Sequence, residues 1–195
     1  MATASQKKRG LYEQLLALSD NVVGEIINGE LVVSPRPSGP AIVAASFLGD
    51  ELVGPFSKGR GGPGGWWILD EPEIEFEHES QHYVPDLAGW RRERMPEVPS
   101  GHIFTVVPDW VCEVVSPSSR RYDRIEKPAV YARHAVGHYW VIDPEAQTLE
   151  AFQLEGSNWL RIGGYSQAEK VRVAPFEVIE IDLSLLWPTP PGPPT

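Results

Sequence analysis

Three acidic residues and one lysine stand where predicted strands and a predicted helix would hold them: Glu25, Asp86, Glu113 and Lys127. Asp86 and Glu113 each fall in an apolar run typical of a strand. Two carboxylates on neighbouring strands can hold Mg²⁺ by one or two oxygens each, while water and a substrate phosphate complete the coordination shell. A lysine close by would orient or deprotonate an attacking water and stabilise charge that develops on phosphate. Metal-assisted hydrolysis of a phosphate ester is therefore one chemistry open to this chain.

The same residues also have purely structural interpretations. Asp86 could cap a turn, Glu113 could pair with Arg120 or Arg124, and Lys127 could be a solvated residue in the first turn of a helix. Residue types and spacing alone leave both interpretations open.

The stretch from Val107 to Pro144 combines a core with a candidate site. Residues 109–115 are apolar and β-branched enough for a buried strand, yet Glu113 lies within them. An ionised carboxylate is costly to bury without a partner, so Glu113 predicts a nearby cation or a hydrogen-bonding network. The predicted elements that follow are a polar turn at 116–119, a helix opening at 123–127 and a second strand at 137–143.

Alternation and turn signals predict the remaining elements. Asn28-Gly29 is the strongest short hairpin signal, and it places Glu25 near the start of the hairpin's first strand. The predicted helices cover 11–18 and 40–56, and the predicted strands cover 23–33 in two halves, 66–77, 83–90, 148–154, 159–163 and 178–181. This pattern predicts an α/β fold with a central mixed β-sheet flanked by helices and antiparallel hairpins at its edges.

A single domain is expected at residues 10–187. The flanking residues 1–9 lack periodicity and the proline-rich residues 188–195 cannot pack as a helix or strand, so both are predicted to be flexible tails.

Composition excludes several classes of protein. The 195 residues are 42% hydrophobic, and no run approaches the roughly 20 apolar residues that span a membrane. The N-terminus lacks the pattern of a secretory signal, and the single cysteine, Cys112, excludes internal disulfides and a cysteine-based zinc site, so a cytoplasmic protein is expected. The histidines lack zinc-site spacing, and no GxSxG motif supports a serine hydrolase. Seven tryptophans leave a homodimer open, because tryptophan is common at buried interfaces.

The charge balance argues against broad electrostatic binding of nucleic acid. Lys and Arg number 17 against 27 Asp and Glu, which gives a net charge of -10, the wrong sign for a protein that grips a phosphate backbone. Any DNA contact must therefore use a local patch or a metal. The best local basic cluster is Arg91, Arg92 and Arg94, and we expect nucleic acid, if bound, to contact that loop.

The order of several motifs resembles a known protein family. A Val84-Pro85-Asp86 step precedes WVCEVVSPSS at 110–119, then Asp123, Lys127 and Tyr131, and finally GHYWVIDP at 137–144. With GEIINGEL at 24–31, this order is similar to the Uma-type family of putative restriction endonucleases, which is placed in the PD-(D/E)XK nuclease superfamily. The resemblance begins near Leu11 and continues into the C-terminal hairpins.

The resemblance implies roles for the candidate residues. Asp86 matches the aspartate of the PD element and Glu113 the acid of the (D/E)XK element, so both would bind metal, and Glu25 would be an additional acid near the site. The position two residues after Glu113 holds Val115 instead of the usual lysine. Lys127 is then implied as a migrated lysine that reaches in from the following helix.

The resemblance also implies a restriction-endonuclease-like fold and metal-dependent hydrolysis of DNA phosphodiester bonds, with Mg²⁺ or Mn²⁺ as cofactor. The alternative is a nuclease-like domain that no longer cleaves and serves as a binding or assembly module.

Overall fold

The computed structural model describes residues 4–77 and 80–187, so the predicted tail at 188–195 lies outside the described residues. The helices are α1 (Ala4–Leu16), α2 (Gly39–Leu52) and α3 (Lys127–Arg133), with π-helical turns at Val53–Ser57 and Tyr122–Glu126 and a 3-10 turn at Leu183–Leu186. The strands are β1 (Val22–Ile27), β2 (Glu30–Pro35), β3 (Trp66–Asp70), β4 (Glu73–Glu77), β5 (Gln81–Tyr83), β6 (Leu87–Arg91), β7 (Ile103–Phe104), β8 (Trp110–Val114), β9 (His138–Asp143), β10 (Thr148–Glu155), β11 (Asn158–Ser166), β12 (Lys170–Val171) and β13 (Ile181–Asp182). None of the helices in this part of the chain is long and apolar enough to cross a lipid bilayer.

The strands form two large sheets and one small pair. The smaller of the two has the order β2-β1-β5-β4-β7, the larger has the order β11-β10-β9-β8-β6-β3, and β12 pairs with β13. Each large sheet contains one parallel pair, β4 with β7 and β8 with β9, among antiparallel neighbours. The predicted α/β class with mixed pairing and antiparallel hairpins is therefore confirmed.

Two predicted strands are in fact divided between the large sheets. The run at 66–77 breaks at Pro72 into β3 and β4, and the run at 83–90 breaks around Pro85 into β5 and β6. A proline donates no hydrogen bond to a neighbouring strand, so pairing stops at each of these positions. The second break places Asp86 where the chain crosses from the smaller to the larger sheet.

The two ends of the described chain differ from the sequence prediction in detail. α1 begins at Ala4 instead of near Leu11, so residues 4–9 are helical and not part of a loose tail; they include Ala, Gln, Lys and Arg, which favour a helix. Near the other end, the strand predicted at 178–181 is shorter and later, at Ile181–Asp182.

The predicted hairpins are confirmed. Asn28 and Gly29 have φ values of 51° and 78°, as the central residues of a tight hairpin turn require, and β1 pairs with β2 around them. β10 and β11 form the second long hairpin at the edge of the larger sheet.

The strand, turn, helix and strand predicted for Val107–Pro144 are also confirmed. A continuous helix, called the site helix below, covers residues 120–133 and includes residues 120–121, the second π-helical turn and α3. Lys127 keeps helical angles, φ -59° and ψ -46°, although Pro128 follows it. The widened π-helical turn lies where the proline ring would otherwise meet the carbonyl of the preceding turn.

β8 separates two hydrophobic cores. Its residues alternate between them: Trp110, Cys112 and Val114 pack on the α2 side, whereas Val111 and the following Val115 pack with the smaller sheet and the site helix. Because strand side chains alternate, Glu113 shares the face of Val111 and Val115 and is directed toward the site helix.

The tryptophans belong mainly to these cores. Five are buried and two are half-buried: Trp66, Trp90, Trp110, Trp140 and Trp187, then Trp67 and Trp159. Their number therefore gives no particular support to an interface, and the homodimer stays a prediction.

Candidate active site

One cavity of about 70 Å³ is lined by all four candidate catalytic residues predicted from the sequence. Glu25 reaches it from β1, Asp86 from the break before β6, Glu113 from β8 and Lys127 from the site helix. The volume is sufficient for a few water molecules. The fold thus brings together side chains from four separate segments of the chain.

Asp86 lies at the cavity wall, in the segment that connects the smaller sheet to the larger sheet. Its Oδ2 accepts a hydrogen bond from the backbone N–H of Val114 on the neighbouring strand, at 2.7 Å. Burial raises the pKa of Asp86 to about 7, against the hydrogen bond from Val114 and the charge of Lys127, which lower it. The side chain thus bonds across to β8 and does not cap a local turn, and its carboxyl group titrates near neutral pH.

Glu113 is only 1% exposed and is held at both oxygens. Oε1 accepts a hydrogen bond from the Tyr131 hydroxyl at 2.5 Å, and Oε2 accepts one from Lys127 Nζ at 3.2 Å. Burial raises the pKa of Glu113 well above its ordinary value, although Lys127 opposes the shift. Arg120 and Arg124, the alternative partners predicted from the sequence, pair instead with Asp143.

Glu25 is buried and ties the first hairpin to the site. Its Oε1 accepts a hydrogen bond from the Val84 N–H at 2.9 Å and lies 3.1 Å from Lys127 Nζ. Burial raises the pKa of Glu25, while Lys127 and the Val84 amide lower it.

Lys127 lies among three carboxylates and is 4% exposed. Its Nζ is 3.1 Å from Glu25, 3.2 Å from Glu113 and 3.2 Å from Asp123. Burial alone would lower the pKa of Lys127, but these acids together hold it well above its ordinary value. The lysine is therefore a protonated, buried cation and not a solvated residue of the first helical turn.

Asp123 and Tyr131 also belong to the candidate site; in the sequence they were part of the family pattern but were assigned no chemical role. Asp123 is buried and lines the cavity, and Tyr131 hydrogen-bonds Glu113. Both are four residues from Lys127, and this spacing places all three on one face of a helix. That spacing is the signal that could have found them.

The donor set fits a hard divalent cation. Asp86 and Glu113 supply carboxylate oxygens, the ligands that Mg²⁺ and Mn²⁺ prefer. Buried Asp123 also lines the cavity, and its Oδ1, which accepts no hydrogen bond of good geometry from a described residue, is 3.2 Å from the Lys127 ammonium. Within residues 4–77 and 80–187, no three His, Cys, Asp or Glu side chains are placed to hold an ion by themselves. Mg²⁺ usually keeps several waters and takes one or two carboxylates, so two protein ligands are sufficient.

A larger groove of about 740 Å³ adjoins the cavity and shares Asp86 and Glu71 with it. α2 forms one of its walls through residues such as Ile42 and Ala45. Asp86 as a whole residue is half-buried, because it borders the groove, whereas its carboxyl group is surrounded by protein closely enough to raise its pKa.

The serine-rich turn at 116–119 forms another part of the cavity wall. Ser116, Ser118 and Ser119 line the cavity, and their hydroxyls hydrogen-bond one another. Arg120 begins the site helix directly after this turn and is partly exposed. Arg120 is thus the exposed cation that lies nearest in sequence to this turn of the cavity wall, and it belongs to the site helix.

The predicted arginine cluster lies elsewhere. Arg91 ends β6, so it is about 16 Å along the strand from Asp86 at the other end. Arg92 donates hydrogen bonds to the carbonyls of Trp66 and Ser57, and Arg94 pairs with Asp109 at 2.8 Å. These arginines fix a loop at the edge opposite the cavity, so the geometry does not place them at a substrate bound there.

Comparison with known proteins identifies a matching family and similar solved structures. The model of the Uma2 family, described as a putative restriction endonuclease, matches residues 11–185. The fold is similar to the crystal structure of a putative nuclease belonging to DUF820 from Anabaena variabilis ATCC 29413, with a TM-score of 0.69 and 22% sequence identity over 91% of this chain and 96% of that chain. Among curated protein sequences, none matches. The family resemblance and fold class expected from the sequence are confirmed.

Proposed function

Because the chain belongs to the Uma2 family of putative restriction endonucleases, we propose that it hydrolyses DNA phosphodiester bonds with a divalent metal ion. Asp86 and Glu113 would hold the ion, Mg²⁺ or Mn²⁺, and Glu25 and Lys127 would complete the active site.

The observation that carries this proposal is the charge of the cavity. Five carboxylates line it; Glu71 pairs with Arg36 at its edge, and the other four, Glu25, Asp86, Glu113 and Asp123, share a single ammonium group, that of Lys127. Burying so many acids with one cation is unfavourable, and burial raises the pKa of Glu25, Asp86 and Glu113 accordingly. A divalent cation would remove most of this excess negative charge. A bound ion would supply a Lewis acid for the phosphodiester and would lower the pKa of a water molecule.

Lys127 has a different role from that of a base. Its ammonium stays protonated beside Glu113 and Glu25, so it cannot take a proton from water at neutral pH. In the proposed mechanism it donates hydrogen bonds that orient water and stabilise negative charge developing on the phosphate. Glu25 and Asp123 position the ammonium, and Tyr131 fixes the carboxylate of Glu113.

A second candidate function is a nuclease-like binding module without catalytic activity. The observation in its favour is that Lys127 already forms ion pairs with Glu25, Glu113 and Asp123, so the site has a cation of its own. This candidate requires neither a metal nor cleavage. A cytoplasmic location is proposed for either function, since Cys112 is a free, buried thiol.

Supercoiled plasmid distinguishes the two functions. The purified protein would be incubated with plasmid in Mg²⁺, in Mn²⁺ and in EDTA, beside Asp86→Asn and the control Asp20→Asn, which makes the same change at an exposed position. We expect wild type and Asp20→Asn to nick the plasmid only with metal, and Asp86→Asn to be inactive. Wild-type protein that leaves plasmid intact in every condition would favour the binding module.

A further inference from the structure

A second pocket lies beside the site helix, away from the carboxylates. It has a volume of about 200 Å³ and is lined by Arg124, Pro128, Tyr139, Val141, Phe152 and Trp159. Tyr139 and Val141 come from β9, Phe152 from β10 and Trp159 from β11, so the floor is the face of the larger sheet that the site helix covers only in part.

The floor of this aromatic pocket is held in place by regular pairing. Phe152 lies opposite Tyr139 in the register of β9 and β10, and their rings are 6.2 Å apart and nearly parallel, at 27°. Trp159 lies 5.7 Å from Tyr139, and its Nε1 donates a hydrogen bond to the Pro128 carbonyl at 2.9 Å. Tyr139 is buried, whereas Phe152 and Trp159 remain half-buried. Two rigid aromatic surfaces are therefore open to a ligand.

Arg124 lines the pocket, and Glu150 and Arg161 lie next to it, because they stand opposite Val141 and Phe152 in the strand register and line a neighbouring pocket. Glu150, on the same face of β10 as Phe152, pairs with Arg124 at 2.5 Å and with Arg161 at 3.3 Å. Arg124 also lies 3.6 Å from Asp143. Guanidinium donors beside a carboxylate acceptor suit a neutral, planar group whose edge carries both hydrogen-bond acceptors and donors. A nucleobase is such a group, because arginine binds its acceptor atoms and glutamate binds its donor atoms.

The pocket shares the site helix with the carboxylate cavity. Arg124 and Pro128 line the pocket, and their direct neighbours in sequence, Asp123 and Lys127, line the cavity. Since a helix with its side chains is only about 10–12 Å across, a short stretch of one DNA strand can reach both.

We propose that the aromatic pocket binds one unpaired nucleobase of the DNA strand whose phosphate enters the carboxylate cavity. This inference rests on the proposed function and adds the substrate class: single-stranded DNA, or duplex with an unpaired nucleotide near the cleaved bond. A base inside a duplex cannot present its face to Phe152 and Trp159, whereas an unpaired base can stack there. The pocket is smaller than the roughly 300–1,000 Å³ of sites for drug-sized ligands, so it takes one ring system.

The test is a binding measurement that needs no cleavage. A short single-stranded oligonucleotide of mixed sequence, labelled with a fluorophore, is titrated with protein in EDTA and followed by anisotropy. Phe152→Leu keeps the apolar side chain but removes the aromatic face, and Phe47→Leu makes the same change at an exposed phenylalanine on α2. Circular dichroism and a thermal melt establish that both variants fold.

We expect Phe152→Leu to bind roughly ten-fold more weakly or worse, in line with loss of one stacked base, and Phe47→Leu to bind like wild type. A series of oligonucleotides is then compared, each of which lacks the base at one position. At one of these positions the missing base should lower the affinity of wild type but should not lower the affinity of Phe152→Leu any further. Wild type should also prefer the single strand to the matching duplex. Equal affinity of Phe152→Leu and wild type for every probe would overturn the base pocket, whatever the plasmid assay shows. If the plasmid stays intact, the proposed nuclease activity is refuted, while the binding measurement still tests the base pocket.

Discussion

Lys127 Nζ lies 3.2 Å from Glu113 Oε2, although these residues are 14 positions apart and belong to different elements. Glu113 faces the site helix because β8 alternates between two cores, and Val115, two residues later on the same face, is used for packing. The cation of the site is therefore supplied by the helix that follows the strand.

The first prediction concerns that cation. Lys127→Ala should lower the rate of DNA cleavage by roughly 10²-fold or more, because one preorganised donor is lost from the transition state. Metal affinity should not fall, because the carboxylates lose a competing positive charge. Single-turnover cleavage and Mn²⁺ calorimetry measure the two quantities. Lys58→Ala, at an exposed lysine, is the control, and full activity in Lys127→Ala would remove the residue from the mechanism.

A second prediction follows from the titration of Asp86. Burial raises the pKa of this residue from 3.8 to about 7, so between these values the folded protein keeps a proton that the unfolded chain has released. The stability due to the neutral carboxyl is complete below about pH 4 and is lost as the pH rises through about 7.

Asp86→Asn cannot titrate and gives the reference for this effect. In EDTA, the melting temperature of wild type minus that of Asp86→Asn should fall as the pH rises from about 5 to about 8. Differential scanning calorimetry measures it. A difference that is constant over this range would show that the pKa of Asp86 is not raised.

Tyr131 offers a test of how Glu113 is held. Tyr131→Phe removes the hydroxyl that donates to Glu113 Oε1 and leaves a buried carboxylate oxygen without that donor. The free energy of unfolding should fall by about 1–3 kcal/mol. Urea unfolding of the metal-free protein measures this, with Tyr165→Phe at a half-buried position as the comparison. An equal effect of both substitutions would mean that the hydrogen bond does not support the site.

The approach of DNA to the site predicts which arginine matters. Arg120 follows the serine-rich turn of the cavity wall, whereas Arg94 is at the opposite end of the sheet and paired with Asp109. Arg120→Gln should weaken DNA binding and reduce the slope of log affinity against log salt by roughly 0.7 to 0.9, the value for one phosphate contact. Asp143 keeps Arg124 and the Ala146 amide as partners, so folding should persist.

Arg94→Gln is the matched variant for this measurement. It should leave the salt slope unchanged. If Arg94→Gln reduces the slope of log affinity against log salt and Arg120→Gln does not, DNA contacts the Arg91, Arg92 and Arg94 loop, as expected from the sequence, and not Arg120.

Local signals predicted much of the fold and four residues that line the candidate site. The Asn28-Gly29 turn and the strand, turn, helix and strand around Glu113 depend on residues close in sequence, and both are confirmed. The division of two strands between sheets was missed because alternation continues across Pro72 and Pro85, while pairing, which is a long-range property, does not.

The missed site residues have a similar physical origin. Asp123 looks like an ordinary acid in the first turns of a helix, and only the packing of that helix against Glu25 and Glu113 buries it. The arginine cluster shows the opposite limit: sequence alone does not reveal that the basic side chain of Arg92 binds backbone carbonyls, and DNA contact by this loop stays a prediction.

Asp86 and Glu113 are proposed to share one divalent ion, and anomalous scattering from crystals equilibrated with Mn²⁺ can locate that ion. The data would be collected near the manganese absorption edge from wild type and from Asp86→Asn. We expect one strong anomalous peak in wild type, within about 2–2.5 Å of an oxygen of each carboxylate, and its loss or marked weakening in Asp86→Asn. A wild-type map with no peak in the cavity, and Lys127 still paired with Glu25, Glu113 and Asp123, would contradict a metal site shared by Asp86 and Glu113.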